Sequence, residues 1–165
     1  MIALEAIQQI VAAKRQEEGE RTLILPYPPS ANRYWRHVTM RGRAVTLVSR
    51  EAKAYREEVM HRAMLAKIMP IDGRVALHID LYPARPKDWA KRSQARPDDW
   101  DDTVQCMDLG NCEKVLSDAL NGIAWHDDKQ IFRMSKQRMV PDEHGARVVV
   151  TFSPIITART QESLL

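Results

Sequence analysis

Polar and apolar positions alternate most clearly over residues 73–82, GRVALHIDLY, where Val75, Leu77, Ile79 and Leu81 fall against Arg74, His78 and Asp80. A two-residue period is that of a half-buried strand. The segments 21–27 and 43–48 also read as strands, the first closed by Pro26 and Pro28 and the second preceded by a turn at Arg41-Gly42. Residues 130–139 and 146–153 predict two more, joined by a turn over 141–145.

The helical period appears three times. Ser49 is a suitable N-cap for a helix over 50–68, with Glu51 in its first turn and Ala52, Tyr55, Val59, Ala63 and Ala66 facing inward. Residues 109–121 place Cys112, Val115, Leu116, Ala119 and Leu120 on one side of a helix that stops at Asn121-Gly122. Residues 2–18 form a short amphipathic pattern through Ile7, Ile10 and Val11. The segment 28–37 reads as a loop that collects Asn32, Arg33, Tyr34, Trp35 and Arg36. Residues 83–106 carry Pro, Arg, Lys, Asp and Trp without a period, and loops of that length are uncommon unless functional.

The order β–β–α–β–loop–α–β–β predicts an α+β fold: a single-layer mixed β-sheet with helices packed on it. A chain of 165 residues with 44% hydrophobic content supports one core and not two. The expected division is an N-terminal helical extension over 1–20, one domain over 21–155 with a long basic loop insertion at 84–103, and a C-terminal tail over 156–165.

The net charge of +3 permits nucleic-acid binding but does not establish it, because the distribution of charge decides. Cys106 and Cys112 are too few for a disulfide framework, and with His126 they fall short of a structural zinc set. They read as two small buried thiols in a reducing compartment. The N-terminus lacks a basic leader and is interrupted by Glu5, Gln8 and Gln9, and no run reaches the ~20 apolar residues of a membrane span. The expectation is a soluble, cytoplasmic protein with no membrane partner.

The chemistry concentrates in residues 107–130, MDLGNCEKVLSDALNGIAWHDDKQ. Asp108 stands at the helix start, Asn111, Lys114 and Asp118 line one margin of the helix, and Asp127 and Asp128 follow the turn. Carboxylates converging from separated segments suit a hard cation, and a lysine beside them adds positive charge where a phosphodiester transition state becomes more anionic. Such a set fits a metal-dependent nuclease. The same residues also fit plainer roles, Asp108 as a helix cap and Lys114–Asp118 as an i,i+4 ion pair.

This stretch resembles the RusA family of phage and prophage Holliday-junction resolvases. The family pattern runs Asp-x-Asp-Asn-x-x-Lys, then Asp-Ala-Leu, a short turn and Asp-Asp-x-Gln-[Val/Ile]. Here it is met by Asp108, Asn111 and Lys114, by Asp118-Ala119-Leu120, and by Asp127-Asp128 with Gln130-Ile131. Pro28, Pro29, Ser30 and Asn32 resemble the family's early Pro-Pro-Ser-x-Asn, so the likeness spans about residues 22–153. The resemblance implies a homodimeric endonuclease of DNA recombination and repair, phage or prophage encoded and acting in a bacterial cytoplasm. It would bind four-way DNA junctions and cut paired strands symmetrically with Mg2+, or with Mn2+ as the alternative ion. It implies Asp108, Lys114 and Asp128 as catalytic residues, and Asp108, Asp128 and Asp127 as metal ligands.

Gly110 stands where the family has its second acid and offers no carboxylate. Asp118, Asp127 or a water would then complete the metal shell, or the enzyme's metal demand is altered, or the protein binds junctions without cutting them. The expected DNA contacts are Asn32, Arg33 and Arg36 in the first loop, Lys87, Lys91, Arg92 and Arg96 in the long loop, and Asn111 on the helix. Trp89 and Trp100, like Tyr34 and Trp35, are candidates to stack on unpaired bases. A regulatory phage protein using the same fold to bind a protein partner is the reading from another class.

Overall fold

A computed structural model describes residues 19–156; the expected helix over 2–18 and all but the first residue of the 156–165 tail lie outside them. Six strands and four helices follow in the order β1 (Arg21–Pro26), α1 (Ala31–Tyr34), β2 (Trp35–Met40), β3 (Arg43–Val48), α2 (Arg50–Leu65), β4 (Val75–Tyr82), α3 (Trp89–Ala95), α4 (Leu109–Leu120), β5 (Ile131–Arg138) and β6 (Arg147–Pro154). The protein is a mixed α+β fold. Among the described residues no helix is long and apolar enough to cross a membrane.

The strands form two sheets where one was expected. The main sheet has the order β1-β6-β4-β5, while β2 and β3 make a separate two-stranded hairpin. β4 alternates buried and half-buried residues along its whole length, with Val75, Leu77, Ile79 and Leu81 inward as their spacing predicts. Strands β5 and β6 do not pair with each other, although a short turn separates them. β4 lies between them, parallel to β5 and antiparallel to β6. Parallel neighbours need a crossover connection, which α4 supplies. The β4–α4–β5 unit fixes the direction of α4 relative to β5, and the site depends on that direction.

One core joins sheet and helices. Leu23 and Leu25 of β1, Val148, Val150 and Phe152 of β6, and the inward row of β4 meet Ala52, Tyr55, Val59 and Ala63 of α2 and the apolar face of α4. Helix α2 stops earlier than its sequence pattern: Ala66 is the C-cap and exposed, and Lys67 takes φ +53°. Cys112 is buried in this core, which pushes its thiol up to about 12, and Cys106 is half-buried.

The hairpin replaces part of what reads as loop in the sequence. Arg41 and Gly42 have φ of +50° and +76°, the paired left-handed geometry of a tight two-residue turn between antiparallel strands. Arginine is uncommon there, so the sequence signal for the hairpin is weak. Residues 84–103 are not featureless either. They contain α3, held by an Asp88–Arg92 pair at 2.9 Å and by Arg96 on Asp99.

Candidate active site

Helix α4 begins at Asp108, whose Oδ1 accepts hydrogen bonds from the backbone N–H groups of Gly110 at 2.8 Å and Asn111 at 3.1 Å. These are two of the donors that a helix start leaves without partners. Both bonds fall on one oxygen. The carboxylate is exposed. Cys112, Val115, Leu116, Ala119 and Leu120 are buried, which turns Asn111, Lys114 and Asp118 outward.

The chain then makes a tight return in which the Gly122 N–H donates to the Trp125 carbonyl at 2.7 Å. Trp125 is fully buried and meets Phe152 edge-on, ring centroids 6.2 Å apart. Its indole N–H donates to Asp128 Oδ1 at 2.9 Å, which orients that carboxylate from within the core. Asp127 caps the single 3-10 turn Asp128–Gln130. Gln130 accepts from the N–H groups of His126 at 2.7 Å and Asp127 at 2.9 Å, and donates to the carbonyls of Ile71 and Gly73, both at 2.8 Å. The glutamine of the Asp-Asp-x-Gln motif is thus a clamp that holds the acids' backbone to the segment before β4. Its place in the motif was legible in the sequence, but the clamp was not.

Lys114 and Asp128 line one cavity, of about 750 Å3, together with Trp35, Glu113, Ser117, Asp118, Ile131, Phe132 and Met134. Asp108 is not among its lining residues. The reason is topological. α4 has 12 residues and is about 18 Å long at ~1.5 Å per residue. Asp108 caps its start, whereas Asp128 leads into β5 from its end. β5 then runs back along the helix, so that Lys136 pairs with Glu113 and Arg138 donates to the carbonyls of Asp101 and Val104. The return segment runs antiparallel to α4, and its acids come before the strand. Lys136 and Arg138 are what it brings back towards Asp108. Asp128 thus shares a cavity with the middle of α4, and Asp108 lies outside that lining.

Asp118 has a different neighbour from the expected Lys114. Tyr34 Oη donates to its Oδ2, and Arg56 Nη1 lies 3.7 Å from the same oxygen. Tyr34 is fully buried, and burial first, then the Asp118 contact, raise its phenol above the ordinary range. Asp118 ties α1, α2 and α4 together. Lys114 is exposed and forms no ion pair among the described residues.

The expected DNA contacts divide similarly. Arg33 and Arg36 are exposed, and the Asn32 side chain lies outside the described set. In the 84–103 segment Arg92 is held by Asp88 and by Thr103 Oγ1 at 3.2 Å, and Arg96 grips both oxygens of Asp99. Arg85 covers one face of the half-exposed Trp89 ring at 4.5 Å. Lys87 and Lys91 are the lysines of this segment, both exposed and without an ion pair among the described residues.

A family model described as endodeoxyribonuclease RusA matches residues 26–152. The chain belongs to the RusA family. It is 33% identical over 138 residues to the crossover junction endodeoxyribonuclease RusA of Escherichia coli strain K12, covering 80% of this chain and 92% of the relative. The RusA of Shigella sonnei matches with the same identity and coverage. The RusA of Enterobacteria phage 82 is 32% identical over 137 residues, covering 79% of this chain and 92% of that one.

Membership of the RusA family suggests a divalent-metal requirement. The donors of one chain do not by themselves fit such a site. Among the described residues no three His, Cys, Asp or Glu side chains group closely enough to hold a metal ion. Gly110 contributes to this. A Cβ built on it would stand 3.0 Å from Asp108 Oδ1, so an acid at this position would sit beside Asp108. The RusA pattern asks for that pair of acids, and this chain supplies one of the two.

Proposed function

We propose that this protein is a junction-resolving endodeoxyribonuclease, which binds four-way DNA as a homodimer and cuts paired strands symmetrically. The observation that carries the reading is the ordered RusA motif, with Lys114 and Asp128 from separate segments facing one cavity. A twofold dimer would match the symmetry of a four-way junction. Mg2+ is the proposed ion, since carboxylate oxygens are hard donors.

The roles follow from placement. Lys114, exposed and without an ion pair among the described residues, would bring a positive charge to the scissile phosphate, whose transition state carries more negative charge than its ground state. Asp128 lines the same cavity, and the buried indole holds it through Oδ1 and leaves Oδ2 outside that bond. Asp108 keeps Oδ2 outside the capping bonds. Asn111, one turn into α4, would touch the backbone of the bound strand.

Gly110 supports a second reading, a branched-DNA-binding protein with weakened or lost cleavage, because the carboxylate beside Asp108 is missing and no three-donor group forms among the described residues. Incubation with a labelled synthetic four-way junction in Mg2+, Mn2+ or EDTA decides between the two. Paired, symmetric nicks that need the ion are expected. Junction binding with no nicks in either metal would transfer the conclusion to the second reading, and equal affinity for linear duplex would remove both.

A further inference from the structure

The β2–β3 hairpin stands outside the main sheet and has two unlike faces. Directly opposed residues of an antiparallel pair share a face. Trp35 and Val48 are opposed, half-buried and packed against the core. Arg36 opposes Leu47, Val38 opposes Val45, and Met40 opposes Arg43. On this outer face Leu47 is 44% and Met40 56% exposed, and both arginines are exposed.

A second cavity, of about 330 Å3, lies at the base of that face. It is lined by Arg36, Val38, Leu47 and Val48 of the hairpin and by Arg50 and Lys53 from the first turns of α2. Three cations line it and no carboxylate does. None of the three forms an ion pair among the described residues, whereas Arg56, Arg62, Arg85, Arg92, Arg96 and Arg147 all do. Glu51 is the acid of the α2 first turn and is not among the lining residues.

We infer that the outer face of this hairpin, together with Arg50 and Lys53, is a docking surface for the sugar-phosphate backbone of DNA. The charge of the cavity selects the partner: unpaired cations around a shallow apolar floor complement phosphates spaced along sugars. Val38, Val45, Leu47 and Met40 lie against the sugars while the cations reach the phosphates. A two-stranded ribbon is also narrow enough to follow a major groove. Trp35, on the opposite face of the same hairpin, lines the cavity of Lys114 and Asp128. The hairpin therefore separates a gripping surface from a cutting surface, and an arm held on one side is positioned relative to the other. The inference rests on the resolvase reading and adds to it a contact surface distant from the reacting groups.

The test is binding of a fluorescent four-way junction by anisotropy, in EDTA so that nothing is cut, over a series of salt concentrations. The Arg36→Ala/Arg50→Ala/Lys53→Ala variant should bind about tenfold or more weakly at moderate salt. Its slope of log K against log salt should be shallower by about 0.9 for each phosphate contact removed. The charge-preserving Arg36→Lys/Arg50→Lys/Lys53→Arg variant should bind within about twofold of wild type, since phosphate contacts of this kind are electrostatic. Lys53→Glu, a single change at an exposed position, gives the same answer if the triple variant does not fold, and should also weaken binding and flatten the slope. Wild-type affinity and slope in a folded alanine variant, or in Lys53→Glu, would overturn this surface alone. A wild-type protein that binds no DNA would overturn the resolvase reading and this surface with it.

Discussion

Replacing Asp108 separates two roles that its position combines. Asp108 Oδ1 accepts from two backbone N–H groups at the start of α4, so removing the side chain has a structural cost whatever its chemistry. Asp108→Ala leaves both donors to water and should cost about 1 kcal/mol, the usual value for a lost N-cap. For a domain of this size that is about 2–4 °C in Tm. Asp108→Asn keeps an oxygen in the capping position and loses only the favourable charge at the helix start, at most about 0.3–1 kcal/mol. If Asp108 also acts on the phosphodiester, both variants lose cleavage alike, by about a hundredfold or more, equivalent to about 2.7 kcal/mol of barrier. The assay is single-turnover cutting of a labelled junction beside thermal unfolding of the same preparations. Asparagine should nearly restore Tm and leave cleavage abolished. An Asp108→Asn protein that cuts at the wild-type rate would refute the catalytic assignment and leave Asp108 as a helix cap alone.

Gly110→Asp should place a carboxylate beside Asp108 Oδ1 and strengthen metal binding. Cleavage should rise, and Tm should rise at lower Mg2+ in the variant than in the parent, by the equivalent of about 1.4 kcal/mol when the ion is at ten times its Kd. A variant with unchanged cutting and the parent's Mg2+ dependence of Tm would show that the glycine is not the deficit. At the start of β6, Arg147 holds both oxygens of Asp142 at 2.6 Å and lowers its pKa to about 2. A depressed folded-state pKa means stability that is present above the unfolded value near 4 and lost as pH falls towards about 2. Urea midpoints measured between pH 5 and 2 should therefore fall less steeply in Asp142→Asn than in wild type, and parallel curves would refute the pairing.

Much of this protein is decided locally and is legible in its residues. The two-residue period of β4 and the apolar stripe of α4 name their own buried faces, because both elements pack one side against a core. Ser49 and Asp108 mark helix starts through short side chains that accept from their own backbone two or three residues on. The RusA motif is equally readable, including the glycine that breaks it. The hairpin is half legible: its turn at Arg41-Gly42 and β3 can be read, but β2 begins inside a segment that reads as loop. Harder to see is α3, a seven-residue helix that owes its hold to local ion pairs and has no buried face to give a period.

What the sequence could not fix is which end of α4 each acid occupies. Residues 107–130 place carboxylates on both sides of one helix, and proximity in the chain suggests proximity in space. The parallel pairing of β4 with β5 decides otherwise. A parallel crossover returns the chain to the end of the sheet from which it set out, so α4 starts at one end of β5 and Asp128 leads into the other. Strand pairing is a long-range choice made by the packing of β4 between β5 and β6, and no local pattern encodes it. The sequence determined the chemistry this chain carries; the tertiary structure determined that Lys114 and Asp128 share a cavity while Asp108 stands apart.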